Sequence, residues 1–221
     1  MHFNISDYHN YLDNIHLSVE DVEIQLMGLT YRGNPAKSDE IENAYIGTMV
    51  EAFYNHIIAY GHIPSQDLFY YDYTILNALK YQEVLRGVNS RLSFTTRKEC
   101  LRARIVSRTY PSLIRDLYFC LLCREKQTDY SVLYNPHLDA ERGIDILLSK
   151  SERHVGLCLY QDTDEGKAQL ERKKAKRKKY DNLEFKDCPL IEHGSKQIGN
   201  IYLFSEAEYD GVIRQVKAIL H

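Results

Sequence analysis

The hydrophobic period of the chain changes near Pro111, and this change constrains the fold more than any other feature of the sequence. Before it, apolar residues recur at helical spacing, as they do between Ser38 and Gly61. After it, one strongly apolar helix over residues 112–124 is followed by short segments in which apolar residues alternate or run together. This change predicts a mostly helical N-terminal half and a C-terminal half that contains a sheet.

Caps and breakers divide the N-terminal half into several helices. Ser38 or Asp39 is expected to cap the first of them, and Gly87 is expected to end a later one. The predicted N-terminal helices cover residues 39–61, 73–86 and 95–106. We therefore predict a helical N-terminal region, residues 1–106, followed by an α/β domain, residues 107–221.

The C-terminal half has a definite predicted order of elements: a buried helix, three strands, a basic helix, two strands and a final helix. Ser205 and Glu208 have the spacing of a capping box at the start of the last helix. The predicted strands cover residues 130–134, 143–148, 154–161, 183–191 and 198–204, and the helices cover residues 112–124, 163–180 and 206–220.

Positive charge is concentrated between Lys167 and Lys179. This stretch has eight basic residues and one acid, a net charge of +7, so the rest of the chain carries −10 to reach the total of −3. Such a segment attracts a polyanion such as nucleic acid, although a solvated helix face gives the same pattern. The candidate nucleic-acid-binding residues are Arg115, Arg172, Lys173, Lys176, Arg177 and Lys178.

Asp145 is the acidic residue with the most unusual setting, because it stands between apolar residues in a predicted central strand that begins at Gly143. A bare carboxylate there is costly unless it is paired or binds a metal ion. Mg²⁺ and Mn²⁺ take such oxygen ligands and can activate water beside a phosphate. Pairing with Arg142 or with a turn amide is the alternative interpretation of Asp145.

The order of the strands and the Gly-hydrophobic-Asp context of Asp145 resemble the PD-(D/E)xK, or restriction-endonuclease-like, nucleases. The resemblance covers residues 107–221 and implies an αβββαβ core with a mixed sheet that acts on DNA with Mg²⁺ or Mn²⁺. It also implies a second acid on the preceding helix, for which Asp116 is the candidate. Pairing of Asp116 with Arg115 or Arg108 is the alternative.

The resemblance further implies an acid and a lysine on the third strand, where this chain has Cys158 and Tyr160. A thiol is a poor ligand for Mg²⁺, and a tyrosine does not replace an ammonium group at neutral pH. The possible replacements are the backbone carbonyl of Cys158, Gln161 or Asp162 for the acid, and Lys167 or Lys174 for the lysine.

Three functions follow from these observations. The first is a metal-dependent nuclease acting on DNA, as in restriction, repair or phage defence. The second is a catalytically inactive module of the same fold that binds nucleic acid or a protein, and the third is an interaction protein whose basic run meets an acidic partner. The N-terminal helices are expected to bind a protein partner, a second copy or flanking DNA.

The cysteine count and the absence of long apolar runs indicate in which cellular compartment the protein is expected. Five cysteines at scattered positions favour a reducing cytoplasm over a disulfide framework. The chain has no run of about 18 apolar residues, so no membrane span is expected.

Overall fold

The computed structural model of the protein describes residues 2–87, 90–126, 129–191 and 194–220. The chain divides into two units: Met1–Asp21 together with Arg115–His221, and Val22–Ile114. The sequence predicts a boundary between residues 106 and 107, which would place Met1–Asp21 in the helical half. In the structure this segment belongs to the same unit as the sheet. The mixed α+β class is confirmed, with a mostly helical N-terminal half and a four-stranded mixed sheet in the C-terminal half.

Helices form nearly all the regular structure of the first half of the chain. They are α1 (Val19–Gly28), α2 (Asp39–Asn43), α3 (Met49–Tyr60), α4 (Gln66–Leu76), α5 (Ala78–Arg86) and α6 (Phe94–Ala103), followed by a π-helix (Arg104–Thr109). The single helix predicted over residues 39–61 is wrong, because the chain between α2 and α3 passes through Gly47 at a φ of +86°. The predicted end at Gly87 is confirmed, since this residue adopts the left-handed conformation after α5.

The second half of the chain forms the sheet and the helices around it. In chain order these are α7 (Tyr110–Lys126), β1 (Ser131–Leu133), α8 (Pro136–Arg142), β2 (Ile146–Lys150), β3 (Arg153–Gln161), α9 (Asp164–Lys174), β4 (Leu183–Leu190), β5 (Lys196–Ile198), β6 (Ile201–Leu203) and α10 (Glu206–Leu220). Two 3₁₀ turns, Ile5–Asp7 and Tyr11–Asn14, precede them in the same unit.

The four-stranded sheet has the order β1-β2-β3-β4. Its first three strands are antiparallel, and β4 is parallel to β3. A parallel neighbour requires a crossover connection, which α9 supplies between β3 and β4. Strand β2 is buried almost throughout, so the sheet is covered on both faces at this strand.

Several boundaries in this half differ from the predicted ones. Helix α9 ends at Lys174 and not at residue 180, so the last basic residues lie outside it. The strand predicted over residues 198–204 is a hairpin of β5 and β6 around Gly199, which has a φ of +57°. The final helix begins as predicted, because the Ser205 amide donates to the Glu208 carboxylate at 2.8 Å.

Helix α8 was not expected, although the sequence contains its start and stop signals. The Asn135 side chain caps it by accepting from the His137 amide at 2.8 Å, and Pro136 occupies its first turn. Gly143 ends it in the left-handed conformation, with a φ of +66°. The predicted strand start at Gly143 is therefore wrong, and β2 begins three residues later at Ile146.

The N-terminal segment completes the core of its unit. Phe3 packs in one apolar cluster with Leu133, Leu138, Ile144, Leu147 and Leu183. Its amide donates to the Asn182 side chain at 2.7 Å, and that side chain returns a hydrogen bond to the Phe3 carbonyl at 3.0 Å. One asparagine thus fixes the first residues of the chain beside β4.

We predict that Gly143→Ala lowers the free energy of unfolding by about 1–3 kcal/mol. A Cβ at this position would lie 2.7 Å from the Lys173 carbonyl oxygen, on a backbone that disfavours side chains. Chemical denaturation measures the change. Gly211→Ala in α10 is the control, since a Cβ there has no neighbour within 4 Å and alanine favours a helix. Equal stabilities of the two variants would contradict the prediction.

Candidate functional site

Asp145 lies immediately before β2, and its side chain is only 2% exposed. The Leu159 amide donates to its Oδ2 at 2.7 Å, and its own amide donates to the Leu157 carbonyl at 2.8 Å. Its Oδ1 accepts a hydrogen bond from the Lys173 ammonium group. The carboxylate is therefore paired with a lysine from α9 and a strand amide, and not with Arg142 as the alternative interpretation proposed.

Lys173 reaches Asp145 because of its position on α9. Gly166, Leu170 and Lys173 follow the spacing of one helix face. Leu170 is buried, and a Cβ on Gly166 would lie 2.0 Å from the Gln161 carbonyl oxygen, so this face is turned toward the sheet. The Lys173 side chain is 22% exposed, and its Nζ also lies 2.9 Å from an Asp139 carboxylate oxygen.

The two lysines predicted to replace the strand lysine have other partners. Lys167 forms an ion pair with Asp162 at 2.8 Å, and Lys174 pairs with Glu171 at 2.8 Å and with Asp187 at 3.4 Å. Among the described residues, Asp145 pairs with Lys173 and with neither of them. From its place in the basic run, Lys173 was expected only to bind nucleic acid.

Asp116, on α7, belongs to the same electrostatic cluster. Burial first, and then the negative charge of Asp145, raise the pKa of Asp116 well above its ordinary value, although Lys173 and Arg115 oppose this. Of the two arginines named in the alternative interpretation, Arg115 acts on the pKa of Asp116, whereas Arg108 pairs with Glu42. Asp116 therefore lies within electrostatic range of Asp145, the other predicted acid.

Asp145 and Lys173, two other charged members of the cluster, also have shifted pKa values. Burial raises the pKa of Asp145 to about 6, with the Asp139 charge reinforcing it and Lys173 opposing it. Burial alone would lower the pKa of Lys173, but Asp139 and Asp145 outweigh it and raise the pKa above its usual value.

Cys158 lies beside this cluster on β3 and is fully buried. Burial, reinforced by the Asp145 charge, raises the pKa of its thiol, so the thiol stays neutral. Successive backbone groups of a strand point alternately toward its two neighbours, and the Leu157 carbonyl and Leu159 amide both bond to Asp145. The Cys158 carbonyl therefore points toward β4, and not toward Asp145 as the prediction of an oxygen ligand required.

The basic run is divided between ion pairs and exposed side chains. Arg177 pairs with Asp187 at 2.5 Å and lies over the Phe185 ring, so it is held against β4. The exposed remainder, which we call the basic segment, consists of Arg172, Lys176, Lys178 and Lys179. Within the part of the chain that the structure describes, no ion pair engages these four side chains.

Comparison of the chain with protein-family models, with curated proteins and with solved structures found no match in any of the three. In the described ranges, none of the helices is long and apolar enough to cross a membrane. All five cysteines lie in these ranges and are free and buried.

The donor chemistry of the cluster fits a hard divalent cation. In the described part of the chain, no three His, Cys, Asp or Glu side chains are arranged to hold a metal ion together. Mg²⁺, however, commonly binds through one or two carboxylates and completes its shell with water and phosphate oxygens. Asp145 and Asp116 provide that number of carboxylates, and the charge of Asp145 acts on Asp116.

Sequence reasoning overlooked Asp139 and the role of Lys173. Asp139 lies on α8, whose Asn-Pro start and Gly143 stop were visible in the sequence. Lys173 looked like its basic neighbours, and the signal that distinguishes it is the spacing from Gly166 and Leu170. Both residues become recognisable only when the helices are placed on the sheet.

The site predicts a pH dependence of stability. The folded-state pKa of Asp145 is about 6, above the value of about 3.9 for an unfolded chain. Between these values the folded protein holds a proton that the unfolded chain has lost. The contribution of Asp145 to the free energy of unfolding is therefore largest below pH 4 and falls as the pH rises to 6.

We expect Asp145→Asn to flatten the decline in stability between about pH 4 and 6, by up to about 3 kcal/mol relative to wild type. Asparagine does not titrate. The substitution also removes the negative charge of Asp145, which raises the pKa of Asp116. Urea denaturation at half-unit pH steps measures the two curves. Parallel curves for the variant and wild type across this range would contradict the assignment.

Proposed function

We propose that the C-terminal unit is a metal-dependent nuclease-like domain that hydrolyses phosphodiester bonds in DNA. The observation that carries the proposal is the contact of Lys173 with Asp145 at the start of β2. The strand order supports it, because three antiparallel strands followed by a crossover helix and a parallel strand fit the core implied by the resemblance. Lys173 takes the part of the lysine that β3 lacks.

Each charged group of the cluster has a distinct part in this proposal. The Lys173 ammonium stabilises the negative charge that develops on the phosphoryl oxygens. Asp145, with Asp116, would hold Mg²⁺ or Mn²⁺. The ion, when bound, supplies a water of lowered pKa and neutralises phosphate charge.

The basic segment supports DNA as the substrate. Its four exposed side chains flank the end of α9, the same end from which Lys173 enters the site. Lysine and arginine contacts with phosphates supply most of the sequence-independent affinity for DNA. A duplex or single strand held there passes close to the carboxylates.

The catalytically inactive nucleic-acid-binding module is the second candidate. Two observations favour it: Cys158 is neutral and buried where the resemblance implies an acid, and both oxygens of Asp145 have hydrogen-bond partners. The interaction protein with an acidic partner is the third candidate. For the N-terminal helices we propose a protein partner or a second copy, since Tyr71, Ile75 and Leu79 expose apolar surface there.

Cleavage assays test the first candidate and the choice of lysine. We expect wild type to cut supercoiled plasmid or single-stranded DNA with Mg²⁺ or Mn²⁺, and Asp145→Ala and Lys173→Ala to lower kcat by about 10²–10³. Lys167→Ala and Lys174→Ala are matched controls and should stay within a few-fold of wild type. Loss of activity in Lys174→Ala with retention in Lys173→Ala would show that the wrong lysine was chosen.

Absence of cleavage by clean wild-type protein with either metal would favour the inactive module. DNA binding then decides between that module and the interaction protein, because phosphate contacts give a linear dependence of log K on log salt concentration.

Replacing the four residues of the basic segment by glutamine should weaken DNA binding uniformly across sequences. It should reduce the magnitude of the salt slope by up to about 4, since each phosphate contact contributes about 0.9. Fluorescence anisotropy with labelled DNA at several salt concentrations measures both. The control is Arg214→Gln with Lys217→Gln, two exposed basic residues of α10. An unchanged slope in the fourfold variant would exclude the basic segment as the DNA site.

A further inference from the structure

We propose that Asp139 is a positioning residue, which holds the Lys173 ammonium beside Asp145 and so allows a helix lysine to act in place of one from β3. This inference rests on the proposed function. Asp139 belongs to α8, a helix inserted between β1 and β2, and its carboxylate lies 2.9 Å from the Lys173 Nζ.

The length of the lysine side chain makes a second partner necessary. Lysine carries its charge on a flexible four-carbon stem, and Lys173 must reach the site from the last turn of α9. One contact with Asp145 fixes the distance of the ammonium group but leaves it free to swing about that contact. The second contact, with Asp139, fixes its direction. An ammonium has three donors, so these two bonds leave one for a phosphate oxygen.

Helix α8 brings both its carboxylate and its end to α9. Gly143, which ends α8, lies so close to α9 that a Cβ at this position would be only 2.7 Å from the Lys173 carbonyl oxygen. Glycine, which has no Cβ, permits this approach. The close approach places the last turn of α9 beside α8, where Asp139 faces Lys173. The cap that ends α8 and the side chain that binds Lys173 therefore act on the same residue.

The charges of the cluster argue against a purely structural part for Asp139. Asp145 alone neutralises the Lys173 ammonium, and a neutral pair satisfies the requirement for burying a charge. A second carboxylate leaves the trio with a net negative charge and reinforces the raised pKa of Asp145. The second contact is therefore more than neutralising the ammonium requires, and it limits the directions in which the ammonium can point.

Amine labelling tests the position of Lys173 without DNA or metal. Acetylation by an N-hydroxysuccinimide ester, followed by peptide mass spectrometry, gives the labelling rate of each lysine. We expect Lys173 to react several-fold faster in Asp139→Ala than in wild type, and Asp139→Asn to fall between them because its amide oxygen still accepts a hydrogen bond. Lys179 is the internal reference, and Glu141→Ala is the control from the exposed face of α8.

Kinetics test the consequence for catalysis. Asp139→Ala should lower kcat by about tenfold or more with little change in KM, because misplacement of a catalytic group by about 1 Å is enough for such a loss. In a Lys173→Ala background the same substitution should have no further effect on kcat, because its only route of action is then gone. Asp139→Asn keeps the shape of the side chain and serves if the alanine variant does not fold.

The outcomes separate this inference from the proposed function. If wild type cleaves DNA and both Asp139 variants keep its kcat, the positioning role is overturned while the nuclease stands. If wild type does not cleave, the proposed function fails, and the labelling rates alone decide. Faster labelling of Lys173 in Asp139→Ala then supports the positioning role, and an unchanged rate overturns it.

Discussion

The buried carboxylate of Asp145 is the constraint on which the C-terminal unit depends. A charge in that position must be compensated on the spot, and the compensation comes from two different elements, the Lys173 ammonium of α9 and the Leu159 amide of β3. Helix α9 is also the crossover connection between the parallel strands β3 and β4. The same helix therefore connects two strands of the sheet and neutralises the buried carboxylate of Asp145. Fold and site are therefore one arrangement here.

Much of this arrangement can be predicted from local signals. The chain order of the strands and helices follows from the apolar pattern, and Asp145 stands out as the one acid among apolar residues, whereas the mixed sheet was implied only by the resemblance. The start of α10 follows from the Ser205 and Glu208 capping box. These features depend on residues that are close together in the sequence, and apolar periodicity and capping motifs are patterns of such residues.

What could not be predicted depends on contacts between distant residues. Helix α8 is too short to show a helical period of apolar residues, so its capping residues are the local signals that indicate it. Asp139, which lies on this helix, was therefore not predicted as a site residue. Eight basic residues between Lys167 and Lys179 look alike until the inner face of α9 selects Lys173. The direction of the Cys158 carbonyl depends on which neighbouring strand its residue faces, which no local pattern records.

The bond between Phe3 and Asn182 has a consequence for how the chain assembles. The two residues are 179 positions apart, and the whole Val22–Ile114 unit is inserted between the segments that they join. On the ribosome, Phe3 therefore cannot meet this partner until Asn182 has been synthesised and has emerged. The inserted helical unit is contiguous in sequence and can fold before then, so the unit that contains Phe3 is completed after the one inserted into it.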